Sequence, residues 1–353
     1  MNNVLIVLAQ SLEQPRIVKR INQKAKEYEK VHVYGFTRNV HAVQNHKVLE
    51  ENDNVTINVV GQLKNNQYFR RAFVFLKLLS LIYAKYGLRK KSIYVFGLDL
   101  RALSFFIMNA NVDYEISDIV WLYSGKTKRK LMSFLDKFLA GKSRKVVFTT
   151  KSFYDGYYKD KVSESQVIVK ENKLETYNRV GSVEQIQTDK LRISYIGAFR
   201  YAEIIKNLTD VVVGNEDIIL NFYGATHGGK IIEDIEKAVN ENSNIHYHGP
   251  FKNPDDLEKI YEANNLNFVV YDNTLENEKV AMPNKYYESG FFNIPIVCAK
   301  GTYVGERVLE NKMGWTIDTD KNSISDFLNT ITISELMDCH ENIKTLDKQY
   351  FVA

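Results

Sequence analysis

The chain has 353 residues, too many for one ordinary domain and suited to two. Apolar residues make up 44% of it and charged residues 25%, which argues against a disordered chain and leaves material for two cores. The net charge of +4 is spread over 47 basic and 43 acidic residues and gives no ground for nucleic-acid binding, while two cysteines, Cys298 and Cys339, exclude a disulfide framework and fit a reducing, cytoplasmic setting.

Strand-like and helical stretches alternate from the first residues on. Val4–Ala9 is a continuous apolar run, as in a central parallel strand, and no basic leader precedes it. A helix is expected over 14–30, then strands over 31–35 and 55–60. A long helix is expected over 67–86, a strand over 92–97, a helix over 100–109 and a strand over 112–117. A helix over 127–140 and strands over 145–149 and 166–169 complete this half. No window holds the roughly 18 uninterrupted apolar residues that a membrane span needs.

The polar, aperiodic stretch 178–190 reads as the boundary. Beyond it the pattern restarts, with strands expected over 191–196, 217–223, 244–248, 266–271 and 294–298. Three of them end at glycines: Gly197, Gly224 and Gly249. A helix is expected to open at Asn253, where Asn suits a cap, Pro254 the first turn, and Asp255 and Asp256 the positive helix end. Repeated βαβ units predict an α/β chain of two Rossmann-like, doubly wound domains facing across a cleft. The expected division is 1–178, a linker at 179–190, a second domain at 191–333, and a helical segment 334–353 returning to brace the first domain.

Chemistry gathers in the second half. After the first strand there come Gly197, Arg200 and Lys206. A glycine at a strand end admits a ligand to the backbone, the following helix offers its positive end, and the two cations suit a diphosphate. Cations after a strand are also commonly just solvated, so these residues need support from elsewhere.

Support comes from the segment 282–297, which contains Pro283, Asn284, Lys285, Glu288, Gly290, Pro295 and Val297. This segment resembles the donor-site motif of GT-B-fold glycosyltransferases related to family 4, above all those of bacterial capsule and exopolysaccharide synthesis. Their motif reads Pro-x-Lys-x-x-Glu and then Gly-x-Pro-Val. The resemblance implies that Glu288 holds the ribose hydroxyls of a nucleotide-diphosphate sugar, UDP-linked in the first instance, with Lys285 on the same helical face. It places Gly249 and Phe251 near the nucleobase. Arg200, Lys206 and Lys285 would neutralise the leaving diphosphate, with no cofactor and no metal. Two other readings of the same architecture stay open: a nucleotide-sugar epimerase, and a non-catalytic partner in a polysaccharide assembly complex.

The sequence departs from that family in two places. Typical members carry an acidic residue eight positions before the ribose-binding Glu; here that position is Val280, with Glu276 and Glu278 at other spacings. The Gly-rich N-terminal loop is replaced by 9–16, which holds Glu13 and Arg16. For an acceptor base the first half offers Asp118, just past a strand end, with Asp99, Glu115 and Glu13 as further candidates. Asp118 and Asp99 are as readily helix caps. His248 reads as a structural polar residue or a donor contact, and His227 as a loop residue.

Asp318 and Asp320 mimic an Asp-x-Asp metal signature, but a turn is the plainer reading, and no His/Cys cluster has zinc spacing. The helical stretch 70–85, flanked by Arg70, Arg71, Lys85, Arg89, Lys90 and Lys91, reads either as a core helix or as an interfacial one touching an anionic membrane. In the second case Lys126, Lys128, Arg129 and Lys130 would widen the basic surface, and the acceptor would be a saccharide, including one on a polyprenyl carrier.

Overall fold

The structure, a computed structural model, describes residues 4–12, 14–37, 52–62, 68–175, 182–226 and 229–353. The chain divides into two compact units, Met1–Glu171 and Asn172–Ala353. Glu13 and His227 lie outside the described residues.

The first unit is built on a 7-stranded parallel sheet. Its strands are β1 (Val4–Ala9), β2 (Lys30–Thr37), β3 (Val55–Gln62), β4 (Lys91–Phe96), β5 (Ala110–Ile116), β6 (Lys145–Phe148) and β7 (Val167–Val169). They run in the order β3-β2-β1-β4-β5-β6-β7, so the winding reverses between β1 and β4. The apolar run of β1 is buried from Leu5 to Ala9, as expected where helices cover both faces. Helix α1 (Pro15–Glu27) opens on a proline whose fixed φ suits the first turn. It buries Ile17, Val18 and Ile21 against Leu5, Val7, Val31 and Val33.

The remaining helices of this unit are α2 (Tyr68–Tyr86), α3 (Leu98–Ser104), α4 (Lys126–Gly141) and the short α5 (Lys151–Phe153). Helix α3 stops five residues before its expected end; Asn109 takes a left-handed conformation with φ of 55° on the way into β5. Helix α2 packs one face on the unit and leaves part of another in solvent: Leu78 and Ile82 are buried, while Phe73 and Leu76 are exposed.

The second unit repeats the plan with a 6-stranded parallel sheet. It contains β8 (Leu191–Ala198), β9 (Ile218–Ala225), β10 (Ile245–Tyr247), β11 (Leu266–Val269), β12 (Ile296–Ala299) and β13 (Gly314–Ile317). The order is β10-β9-β8-β11-β12-β13, with the reversal between β8 and β11. Strand β13 was not expected. Its sequence, Gly314-Trp315-Thr316-Ile317, lacks an apolar run because it lies at the sheet edge and is only partly buried.

The helices of this unit are α6 (Ala202–Val212), α7 (Gly229–Glu241), α8 (Leu257–Glu262), α9 (Glu276–Val280), α10 (Asn284–Phe292), α11 (Tyr303–Glu310), α12 (Lys321–Thr330) and α13 (Ile333–Thr345). Helix α8 begins at Leu257 and not at Asn253. The Asp256 carboxylate accepts the Lys252 backbone N–H at 2.7 Å, which closes a turn over the residues expected to start the helix.

The described part of the expected linker packs on the second unit. Val183 and Ile186 enter its core, and Asn293 Nδ2 donates to Val183 O at 3.0 Å. Helix α13 starts in a capping box of Thr332 and Glu335 and buries Leu336 and Ile343. His340 Nδ1 donates to Asn293 O at 2.6 Å, and Leu174 N donates to Phe351 O at 3.0 Å, so these contacts of the last residues fall within their own unit. Asp318 pairs with Lys300 at 2.9 Å, and Asp320 caps α12 by accepting from Asn322 N and Ser323 N at 3.0 Å, as in a turn.

Candidate functional site

In open parallel sheets, ligands bind at the carboxyl ends of the strands where the winding reverses. In the second unit that point lies between β8 and β11, and three glycines line its approach. Gly197, Gly224 and Gly249 end the neighbouring strands β8, β9 and β10, with φ of 121°, 143° and 75°. A Cβ on Gly224 would sit 1.8 Å from Gly197 O, so no side chain fits there. Gly224 N donates to Gly249 O at 2.8 Å, which ties the second glycine to the third. At these three positions the backbone carries no side chain.

Helix α10 aims two side chains at this region. Lys285 passes over Gly197, its Cε 3.8 Å from where a Cβ of that residue would lie. Lys285 Nζ then donates to Glu288 Oε2 at 2.6 Å and stands 5.4 Å from the centre of the Phe251 ring. Both charged side chains are buried, Lys285 at 8% exposure and Glu288 at 2%. The three-residue spacing brings them together on one helix face.

Glu288 Oε2 also accepts the Tyr261 hydroxyl at 2.9 Å. Burial pushes that hydroxyl's pKa well up, and the neighbouring carboxylate pushes it further, so it stays a donor. Among the described residues no hydrogen bond ends on Glu288 Oε1. Behind Tyr261, Asn267 Nδ2 donates to the tyrosine oxygen at 3.3 Å and to Ser289 Oγ at 2.8 Å. Asn267 Oδ1 is buried without a partner among the described residues.

An open cavity of about 280 Å³ adjoins the cluster, lined by Tyr223, His248, Gly249, Pro250, Phe251 and Lys259 among others. The His248 ring stacks on Tyr223 with centroids 4.4 Å apart and planes at 7°. Asn221 donates its amide N–H to Asn264 Oδ1, so Asn221 Oδ1 is free to accept, and His248 Nε2 donates to it at 2.9 Å. Burial, with His246 nearby, lowers the His248 pKa and favours this neutral ring.

The other expected site residues are placed as follows. Pro283 is the N-cap residue of α10, and Asn284 opens the helix and accepts from Asn172 Nδ2. Arg200 is exposed in the turn between β8 and α6. Lys206 is not brought to the cluster. It lies further along α6 and pairs with Asp210 at 2.5 Å, beside a groove between α6 and α7. In the first unit, Asp118 is half exposed just past β5, with Arg16 Nη2 at 4.0 Å. Glu115 is fully buried, accepting from Arg20 Nε at 2.8 Å and from the Tyr94 hydroxyl, which leaves it no access to a substrate hydroxyl. Asp99 lies in the first turn of α3.

Sequence reasoning missed Tyr261 and Asn267. The available signal was a polar residue inside the apolar strand 266–269, which demands a buried hydrogen-bonding partner. Glu278 also gains weight, since it is buried on α9. Burial raises the hydroxyl pKa values of Tyr195, Tyr201 and Tyr271, Glu278 raises all three further, and Arg200 lowers all three. The acid and the arginine therefore both lie within electrostatic range of the same three hydroxyls. Among the described residues, no group of three or more His, Cys, Asp and Glu side chains is placed to hold a metal ion.

No family model and no curated protein matches the sequence. Solved structures do match over nearly the whole chain. Sucrose-phosphate synthase from Thermosynechococcus elongatus is 14% identical, with 99% of this chain and 95% of that one covered and a TM-score of 0.70. TarM from S. aureus, solved in complex with fondaparinux, alpha-GlcNAc-glycerol and UDP, is 11% identical over 99% and 98%, with a TM-score of 0.65. A Listeria monocytogenes protein assigned as a UDP-N-acetylglucosamine 2-epimerase is 12% identical over 99% and 92%, with a TM-score of 0.62. At these identities the likeness establishes the fold, and with the two parallel sheets it shows that the chain has the GT-B architecture of two Rossmann-like α/β units.

Proposed function

We propose that the protein is a glycosyltransferase that takes a sugar from a nucleotide-diphosphate donor, UDP-linked, and passes it to a saccharide acceptor in surface-polysaccharide assembly, in the manner of family 4 enzymes. One observation carries this reading. A buried carboxylate, Glu288, is held by Lys285 and Tyr261 through one oxygen, with no partner on the other among the described residues, beside strand ends that carry Gly197, Gly224 and Gly249. Such a carboxylate is fixed in place, and its second oxygen is available to a ribose diol.

The remaining roles follow from chemistry. The glycines give a diphosphate access to backbone, and Lys285 and Arg200 supply positive charge to the leaving group. The hollow beside His248 and Phe251 suits a nucleobase. Arg200 and Glu278 together suit the transferred sugar, whose hydroxyls call for both a donor and an acceptor. For Lys206 to join the donor site it must first leave Asp210. Asp118 is the proposed base for the acceptor hydroxyl, and the acceptor sugar is proposed to ride on a polyprenyl carrier. Neither a cofactor nor a metal has an assigned role in this scheme. The solved complex of TarM with UDP and a sugar ligand supports the donor assignment.

Calorimetric titration with UDP, GDP and their sugars tests the proposal. Binding of UDP and a UDP-sugar is expected; the absence of any nucleotide binding would overturn it and leave a non-catalytic partner role. The likeness to the protein assigned as an epimerase favours one second reading. Incubating the donor alone separates the two, because an epimerase isomerises its sugar without an acceptor.

A further inference from the structure

Helix α4 presents an apolar stripe to solvent in place of the core. Leu131 and Phe134 are each 70% exposed, and Leu135 and Phe138 flank them on the same face. The short loop after α3 adds Phe105, Phe106 and Met108, all exposed. The two groups are continuous: the Phe105 ring lies 6.4 Å from that of Phe138 and 6.2 Å from that of Phe106. The loop is pinned, since the Tyr83 hydroxyl donates to Phe106 O at 2.8 Å and accepts from Met108 N at 3.0 Å. A contiguous exposed apolar surface of this kind marks a contact site.

The charge around it is one-sided. Lys126, Lys128 and Lys130 are exposed at the start of α4, and Lys142 Nζ stands 6.0 Å from the Phe138 ring centre at its end. Arg89 and Lys90 are exposed on the segment leading from α2 to β4, and residues 68–98 contain no Asp or Glu. The one acid of α4, Asp136, is buried, where it accepts from Tyr114, Trp121 and Tyr158. Lys137 is offset by Asp160 at 3.1 Å.

We infer that α4 and the 105–108 loop form a docking surface for an anionic phospholipid bilayer, with Phe106, Leu131 and Phe134 entering the headgroup layer and Lys128 and Lys130 meeting lipid phosphates. Charge decides the occupant. A second copy docking through the same face would set this cationic rim against itself, which like-charge repulsion opposes. An anionic membrane pairs with every cation there. Among the described residues no helix is long and apolar enough to cross a membrane, so the contact is one of lying on the surface. This inference does not depend on the donor-site reading, and its test needs no nucleotide.

The full chain is sedimented with vesicles of equal parts phosphatidylglycerol and phosphatidylcholine, and with phosphatidylcholine alone. The protein is expected to bind the anionic vesicles and release as salt rises. The double substitution Leu131→Ser with Phe134→Ser is expected to lower the partition coefficient by at least about tenfold, and Lys128→Gln with Lys130→Gln by about tenfold at low salt. These side chains are exposed, so an unchanged Tm verifies that each variant is folded. Phe73→Ser with Leu76→Ser, on α2, is expected to leave partitioning unchanged. Failure to bind anionic vesicles, or loss of binding through the α2 variant with none through the α4 variants, would overturn the assignment. So would a wild-type dimer that Phe134→Ser dissociates in sedimentation velocity.

Discussion

Replacing Glu288 by alanine separates what the carboxylate does for the fold from what it does for a ligand. Oε2 is the meeting point of two donors, Lys285 Nζ at 2.6 Å and the Tyr261 hydroxyl at 2.9 Å. The substitution leaves a buried ammonium without its carboxylate, 5.4 Å from the centre of the Phe251 ring. Breaking one partner from a buried ion pair costs about 3–5 kcal/mol. The stranded tyrosine hydroxyl alone would cost about 1–3 kcal/mol, but both donors lose the same oxygen, so the terms are not additive and a total of about 4 kcal/mol is expected. Glu288→Gln keeps the shape and one acceptor, and is expected to cost about half as much. Combining it with Lys285→Met removes the uncompensated charge and is expected to recover part of the loss.

Urea denaturation reads these differences. The chain's two tryptophans, Trp121 and Trp315, fall one in each unit, so fluorotryptophan labelling gives each unit its own fluorine resonance. The loss should appear at Trp315. A cost below about 1 kcal/mol for Glu288→Ala, or a double variant no more stable than Glu288→Gln alone, would refute the buried-pair argument. Binding is then measured on the better-folded Glu288→Gln variant. An unchanged UDP dissociation constant there would remove the carboxylate from ribose recognition.

Three further outcomes are expected. Gly224→Ala places a methyl group 1.8 Å from Gly197 O at a φ of 143°, so it should destabilise the second unit by about 2 kcal/mol or more in denaturation and weaken nucleotide binding. Arg200→Ala removes an exposed cation from the proposed leaving-group site. Turnover should fall roughly tenfold or more with little change in Tm, and unaltered steady-state kinetics would exclude the arginine from the reaction. The lowered pKa of His248 means that the unfolded chain takes up a proton there before the folded one does as pH falls. Its contribution to stability is therefore lost as pH drops through the ordinary value of 6.5, and a His248→Gln variant should show a shallower decline in urea midpoint over that range.

The repeated strand–helix alternation was legible because parallel strands buried on both faces must be apolar throughout, as 4–9 and 191–196 are. The pairing of Lys285 with Glu288 was legible for a local reason, since a three-residue spacing on a helix fixes a shared face. Glycines at the ends of three strands could be read as well, but not the contact between Gly197 and Gly224, which depends on β8 and β9 lying side by side. Tyr261 reaches Glu288 across 27 residues and Asn267 reaches Ser289 across 22, and no local pattern encodes such distances. Lys206 stood at a plausible spacing after a strand; its pairing with Asp210 sets where it points. The stripe on α4 shows the limit most directly. Leu131, Phe134, Leu135 and Phe138 carry the spacing of a core-facing helix, and only the packed structure shows that Leu139, Ala140 and Asp136 turn inward while that stripe stays in solvent. Sequence determines which faces a helix has, and tertiary packing determines which of them is covered, because burial depends on neighbours brought in from distant parts of the chain.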